Sequence, residues 1–158
     1  IDKSDEAFEA FLLEVLSAYQ VSIPEIGVLK AKTPPLVFLT SNNIRDLGDA
    51  LKRRCLHLHI PLPDADLERK IVASRVPGIE QTLTSSLVNF VQSLRTLDLR
   101  KSPSISETVD WARALILLNA DSLSPEVVRD TLNVLLKFEP DIAAVEPQIS
   151  ELLRRPAA

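Results

Sequence analysis

Residues 36–60 read LVFLTSNNIRDLGDALKRRCLHLHI, and the fold class turns on this stretch. Leu36–Thr40 is a continuous apolar run rather than an alternating one, which is the pattern of a strand covered on both faces, as in a parallel sheet flanked by helices. The run stops abruptly at Ser41-Asn42-Asn43. Residues 45–54 follow with helical character and end in Lys52-Arg53-Arg54. Cys55–Ile60 then alternates strictly, with Leu56, Leu58 and Ile60 on one face and His57 and His59 on the other, as a strand nearer a sheet edge would. The prediction is strand, short helix, strand, with amides at the tip of the first strand and cations just ahead of the second. Open α/β sheets bind ligands at the carboxyl ends of their strands.

Upstream, residues 4–19 carry Phe8, Phe11, Leu12, Val15, Leu16 and Tyr19 at helical spacing behind Ser4, a candidate N-cap. Residues 20–35 read as a loop or an irregular hairpin, because Pro24 is poorly tolerated in a central strand. Beyond Pro61-Leu62-Pro63 the period becomes helical. Helices are predicted over 64–76, burying Leu67 and Ile71, and over 84–94, burying Leu87, Phe90, Val91 and Leu94. Residues 104–118 open on a capping-box pattern from Ser104 to Glu107. A further helix starts at Ser124-Pro125 and carries Val128, Leu132 and Leu135, and a last one lies near 147–154 with Ile149, Leu152 and Leu153 on one side. The fold class is therefore α/β plus all-α, with a partial α/β domain over 1–61 and a helical domain over 62–158.

The 158 residues carry a net charge of −4, with 46% hydrophobic and 25% charged, a globular composition. The acidic balance disfavours sequence-independent nucleic-acid binding, which needs a cationic surface. Every apolar run is interrupted well before membrane-spanning length, and the acidic N-terminus is unlike a signal peptide. A single cysteine, Cys55, fits a reducing cytoplasm. The start at Ile1 and the lack of methionine suggest a fragment of a larger protein.

No phosphate-cradling glycine loop can be built, since the glycines are Gly27, Gly48 and Gly78 alone. Asn42, with Asn43 beside it, is placed to hold an attacking water without competing for a proton; the bland alternative is a turn and helix cap. Arg53 and Arg54 either complement a helix dipole or offer a planar cation to phosphate oxygens. Cys55, His57 and His59 share a strand face but lack a fourth ligand, so no metal site is expected. Trp111 and Asp110 read as packing and a surface ion pair.

The runs FEAFLLEVLSAYQVSIPEIG (8–27), PPLVFLTSNN (34–43), LGDALKRRC (47–55) and KSPSISETVDWARAL (101–115) together resemble the C-terminal part of MoxR-type AAA+ ATPases, in the CoxD-like branch. The likeness spans about residues 1–138. It implies that Ile1-Asp2-Lys3 directly follows the Walker B Asp-Glu pair, that both Walker motifs are missing, and that the two domains are a partial AAA+ core and a helical lid. By resemblance Asn42 is sensor 1 and Arg54 the arginine finger, with Arg53 the adjacent alternative. Residues 104–118 match the sensor 2 helix, but Ser104 stands where many relatives carry arginine, which leaves Arg100 or Lys101 to meet nucleotide.

The resemblance further implies a chaperone-like remodelling or maturation factor for metalloenzymes or protein complexes. Such a factor hydrolyses ATP with Mg at the subunit interfaces of a ring, commonly hexameric, beside a partner carrying a von Willebrand A domain. For this chain alone no cofactor and no activity are expected. The rival readings are a non-catalytic helical protein-interaction module and, less favoured, a DNA-associated AAA+ lid.

Overall fold

In a computed structural model, residues 1–42 and 45–155 are described. Among them no helix is long and apolar enough to cross a membrane. The chain divides into two compact units, Ile1–Ile60 and Pro61–Ala158.

The first unit begins with α1 (Glu6–Ala18), which Asp5 rather than Ser4 caps by accepting the Phe8 N–H at 2.8 Å. The Ser4 hydroxyl turns back to the Ile1 carbonyl instead. Tyr19 closes the helix in the left-handed region (φ 50°) and leads straight into β1 (Gln20–Ile23), which pairs antiparallel with β2 (Gly27–Lys30). The hairpin is regular, because Pro24 falls in the turn and not in a strand. Glu25 (φ 67°) and Gly27 (φ 95°) take the left-handed conformations that reverse the chain. Glu14 joins helix to hairpin through the Ser22 hydroxyl at 2.6 Å and the Gln20 amide at 3.0 Å. The Ser22 hydroxyl, then the Gln20 amide, hold its carboxyl below the ordinary range.

Two predicted strands are corrected. Leu36–Thr40 and Cys55–Ile60 both run without a ladder, and the two-stranded β1–β2 sheet is the one sheet among the described residues. A parallel-type strand needs neighbours delivered by crossover connections, and the first unit supplies only a hairpin, whose strands pair with each other. With no covering layer, Leu36, Phe38, Leu56, Leu58 and Ile60 are exposed. The same lack limits α1, where Leu12 is buried while Phe8, Phe11 and Tyr19 of the predicted apolar stripe are exposed. The helix expected over 45–54 shortens to α2 (Asp49–Lys52), continued by a turn. The structure is thus mostly helical with a small sheet, compatible with an α/β plus helical class.

The second unit comprises α3 (Ala65–Arg75), α4 (Gln81–Arg95), α5 (Ile105–Leu117), α6 (Pro125–Leu135), α7 (Glu139–Val145), a 3-10 turn (Glu146–Gln148) and α8 (Ile149–Leu152). Its starts obey capping rules: Asp64 accepts the Leu67 N–H, Ser104 and Glu107 form a capping box, and Ser124 precedes Pro125 at the first turn. Leu87, Phe90, Val91 and Leu94 of α4 are buried against Trp111, Leu115, Val128 and Leu132. The Trp111 indole sits 5.6 Å from the Phe90 ring and donates to the Thr131 hydroxyl at 2.7 Å, so its role is packing. On α3 the buried face is Ala65, Glu68 and Val72, one step round from the predicted Leu67 and Ile71, because Glu68 finds a partner inside. Helix α7 falls where no helix was expected, its seven residues being too few for a periodic signal.

Candidate functional site

Within the first unit, the N-terminus and the segment after the apolar run come together. The Ile1 amine donates to the Thr40 carbonyl at 2.8 Å, and the Asn42 N–H donates to the Asp2 carboxylate at 3.0 Å. Asp2 is buried, and Ile1, Asp2, Lys3, Thr40, Ser41 and Asn42 line a small cleft of about 220 Å3. Asn42 itself is exposed; the adjacent Asn43 lies outside the described residues.

The cationic end of α2 is fastened to α1. Arg45 pairs with Glu9 at 2.5 Å and donates to the Ser4 carbonyl at 2.7 Å, and Glu9 also accepts the Gly48 N–H. Arg54 is held at two points: Nε donates to Ser17 Oγ at 2.6 Å and Nη1 to the Ala50 carbonyl at 2.8 Å. These bonds fix the guanidinium plane and leave Nη2 without a described partner. Arg53, one residue earlier, is exposed and makes no such contact. Lys52 instead pairs with Asp46 at 2.7 Å, which raises the Lys52 ammonium above its ordinary range.

In the second unit the predicted Arg100, Lys101 and Ser104 share one loop, clamped from several sides. Asp141, buried at the first turn of α7, accepts the N–H groups of Arg100 at 3.0 Å and Lys101 at 3.3 Å. Arg95 donates through Nε to the Pro103 carbonyl at 2.9 Å, and the Thr108 N–H donates to the Ser104 carbonyl at 3.1 Å. The Arg100 guanidinium lies over the Phe138 ring, 4.6 Å from its centroid. The Ser104 hydroxyl and N–H are both engaged with Glu107, so this serine serves the helix cap. Burial pushes the Glu107 carboxyl up, but the Ser104 hydroxyl, the Glu107 N–H and the Lys101 ammonium outweigh it and lower the value to about 2.

Beside this loop, α3 and α5 form an open groove of about 760 Å3. Ile71, Ile105 and Val109 floor it, and Lys70, Arg75 and Arg113 stand on its rim, with Arg113 paired to Asp110 at 3.1 Å. The groove is locally cationic although residues 61–155 contain eleven basic against fourteen acidic side chains. An apolar floor with a cationic rim suits a flat organic base carrying phosphates.

Glu68, Arg95 and Asp141 were not legible as site-building residues. Only Glu68 carried a signal, standing three residues after Ala65 and four before Val72, where a carboxylate on an apolar stripe demands a buried partner. Among the described residues no group of three or more His, Cys, Asp or Glu side chains could hold a metal ion. Comparison with family models, curated proteins and solved structures gives no match for the chain.

Proposed function

We propose that this chain is the sensor 1, arginine-finger and lid portion of a MoxR-like AAA+ ATPase, acting in a longer parent as a chaperone-like remodelling or maturation factor. The observation that carries the reading is the meeting of Ile1–Lys3 with Thr40–Asn42. A Walker B strand running out into Ile1-Asp2-Lys3 would bring its carboxylates beside the Asn42 amide. That amide can orient the attacking water by donating and accepting without taking its proton.

Arg54 supports the same reading, being pre-oriented with a free Nη2 donor that a neighbouring subunit's γ-phosphate could accept. Such a finger needs a ring, for which the family resemblance suggests a hexamer, and a von Willebrand A domain protein as partner. In the lid, the α3–α5 groove would receive the base and part of the phosphate charge. Ser104 is committed to its cap, Arg100 is stacked on Phe138 and Lys101 is paired with Glu107 at 3.3 Å, so Arg100 or Lys101 would have to leave its present partner to meet phosphate. The residues present fit the outer contacts of ATP. They do not fit Mg, whose ligands and the phosphate loop belong to the parent.

The test is ATP hydrolysis by the assembled parent. Arg54→Ala is expected to lower it by about a thousandfold or more. Unchanged hydrolysis in both Arg54→Ala and Arg53→Ala overturns the finger assignment. For this chain alone, calorimetry is expected to detect no tight ATP binding, and tight binding contradicts the division of labour.

A second reading, a non-catalytic helical interaction module, is favoured by one observation: residues 61–155 close a core of their own around Phe90 and Trp111. It predicts partner binding indifferent to nucleotide.

A further inference from the structure

Burying a carboxylate is costly unless hydrogen bonds replace its water, and the Asp2 side chain is only 6% exposed. Its Oδ2 accepts the Asn42 N–H at 3.0 Å, across 40 residues of chain. The Ile1 amine stands 3.8 Å from Oδ1, beyond hydrogen-bond reach, so the Asn42 contact does not depend on a charged terminus. At Asn42 the bond engages the backbone alone. The Asn42 side-chain amide makes no hydrogen bond to a described residue, and the residue stays exposed.

The turn that carries Asp2 is itself fixed. Ser4 closes it, its N–H and hydroxyl donating to the Ile1 carbonyl at 2.9 and 2.6 Å. The Arg45 guanidinium in turn donates to the Ser4 carbonyl at 2.7 Å and pairs with Glu9. One turn therefore grips the opposite segment on both flanks, through Asp2 at Asn42 and through Ser4 at Arg45, while the Ile1 nitrogen holds the Thr40 carbonyl. Anchors at 40, 42 and 45 leave the Asn42 backbone little freedom, and the direction of its Cα–Cβ bond is set with it.

We propose that Asp2 is a positioning residue for hydrolysis: by holding the Asn42 N–H it aims the Asn42 side-chain amide at the attacking water. The proposal rests on the reading of Asn42 as sensor 1 and adds the group that orients it. Asp2 itself touches neither water nor phosphate in this role. A carboxylate suits the task because a charge-assisted N–H···O bond is shorter and roughly twice as strong as a neutral one. The need for a firm hold is plain, since a displacement of about 1 Å at a catalytic group costs on the order of a hundredfold in rate.

Amide exchange in this chain tests the contact, and hydrolysis by the assembled parent tests its use. In the chain, Asp2→Ala should speed exchange at the Asn42 amide at least about tenfold. The Phe8 amide, held by Asp5 in the same unit, should keep its rate. In the parent, Asp2→Ala should lower kcat by about ten- to a hundredfold and leave KM within about twofold of wild type. Asp2→Asn, whose Oδ1 can accept the same N–H, should recover most of that loss. The double variant Asp2→Ala/Asn42→Ala should be no slower than Asn42→Ala alone, as for residues that act as a unit. Asn42 exchange that is unchanged, or that rises only in step with Phe8, overturns the proposal. So does a loss carried by KM, a lack of recovery in Asp2→Asn, or additive losses in the double variant, each of which marks a merely structural carboxylate. Hydrolysis indifferent to Asp2→Ala but crippled by Asn42→Ala overturns the proposal and spares the sensor reading. Hydrolysis indifferent to Asn42→Ala removes both.

Discussion

Glu68 and Arg95 meet in a two-pronged ion pair inside the helical unit, Oε2 to Nη1 at 2.7 Å and Oε1 to Nη2 at 2.8 Å, with the Glu68 side chain fully buried. Two further donors complete the carboxylate, the Gln92 amide at 2.8 Å and the Thr108 hydroxyl at 2.9 Å. One acid on α3 thereby ties α4 and α5, and its partner Arg95 reaches on to Pro103. Desolvating two charges is costly, and only this degree of saturation offsets it.

Removing one partner alone should therefore be severe. Glu68→Gln or Arg95→Met is expected to destabilise the helical unit by about 3–5 kcal/mol, because the survivor stays buried and unpaired. The double variant Glu68→Met/Arg95→Met should recover most of that loss. Urea unfolding followed by the single tryptophan, Trp111, measures all three. Additive losses in the double variant would mean the two residues act separately.

How far the sequence discloses this architecture depends on where each signal arises. Local signals survive: the Ser104–Glu107 capping box, Ser124-Pro125, and the Leu87–Leu94 face of α4 depend on neighbours a turn or two away. Signals that presuppose a distant partner fail. The uninterrupted apolar run Leu36–Thr40 says that a strand wants burial on both faces, but the covering layers and flanking strands are not encoded in the run itself, and here none is in place. Glu68 fails in the opposite sense, being polar where burial was not expected because Arg95 lies 27 residues away. In the candidate site, sequence could nominate Asn42, Arg54 and Lys101, yet not the holders that orient them. Asp2, Ser17 and Asp141 look like ordinary surface residues until the chain folds back.

Acid should loosen α5 through Glu107. Its folded carboxyl, at about 2, lies below the ordinary 4.5, so the unfolded chain binds the proton more tightly. The stabilisation is then complete above pH 4.5 and is lost as pH falls through the interval down to about 2. As a partly exposed cap it is expected to contribute about 1–2 kcal/mol. Glu107→Gln keeps much of the capping geometry without the titrating group. Thermal melts across that pH range should show the variant less stable than wild type near neutrality and converging with it at the acid end. A constant gap at all pH values would assign the stabilisation to something other than the ionised carboxylate.

Asp141 is the residue on which the geometry of the 99–104 loop rests most directly, since its two oxygens receive consecutive backbone N–H groups, those of Arg100 and Lys101. Asn at this position keeps shape and removes one acceptor, turning an amide NH2 toward a backbone donor. Asp141→Asn should cost about 1–3 kcal/mol. It should also speed hydrogen exchange at the Arg100 and Lys101 amides well beyond the change at Val91, which is buried in α4. The Arg100 stack over Phe138 should loosen with them, since the side chain is aimed by the backbone that Asp141 holds. Amide-resolved exchange separates two ways of losing stability. If Arg100 and Lys101 keep their relative protection while the global stability falls, Asp141 acts at the start of α7, where an acid complements the helix dipole, and the loop is held by Arg95 and Thr108 instead.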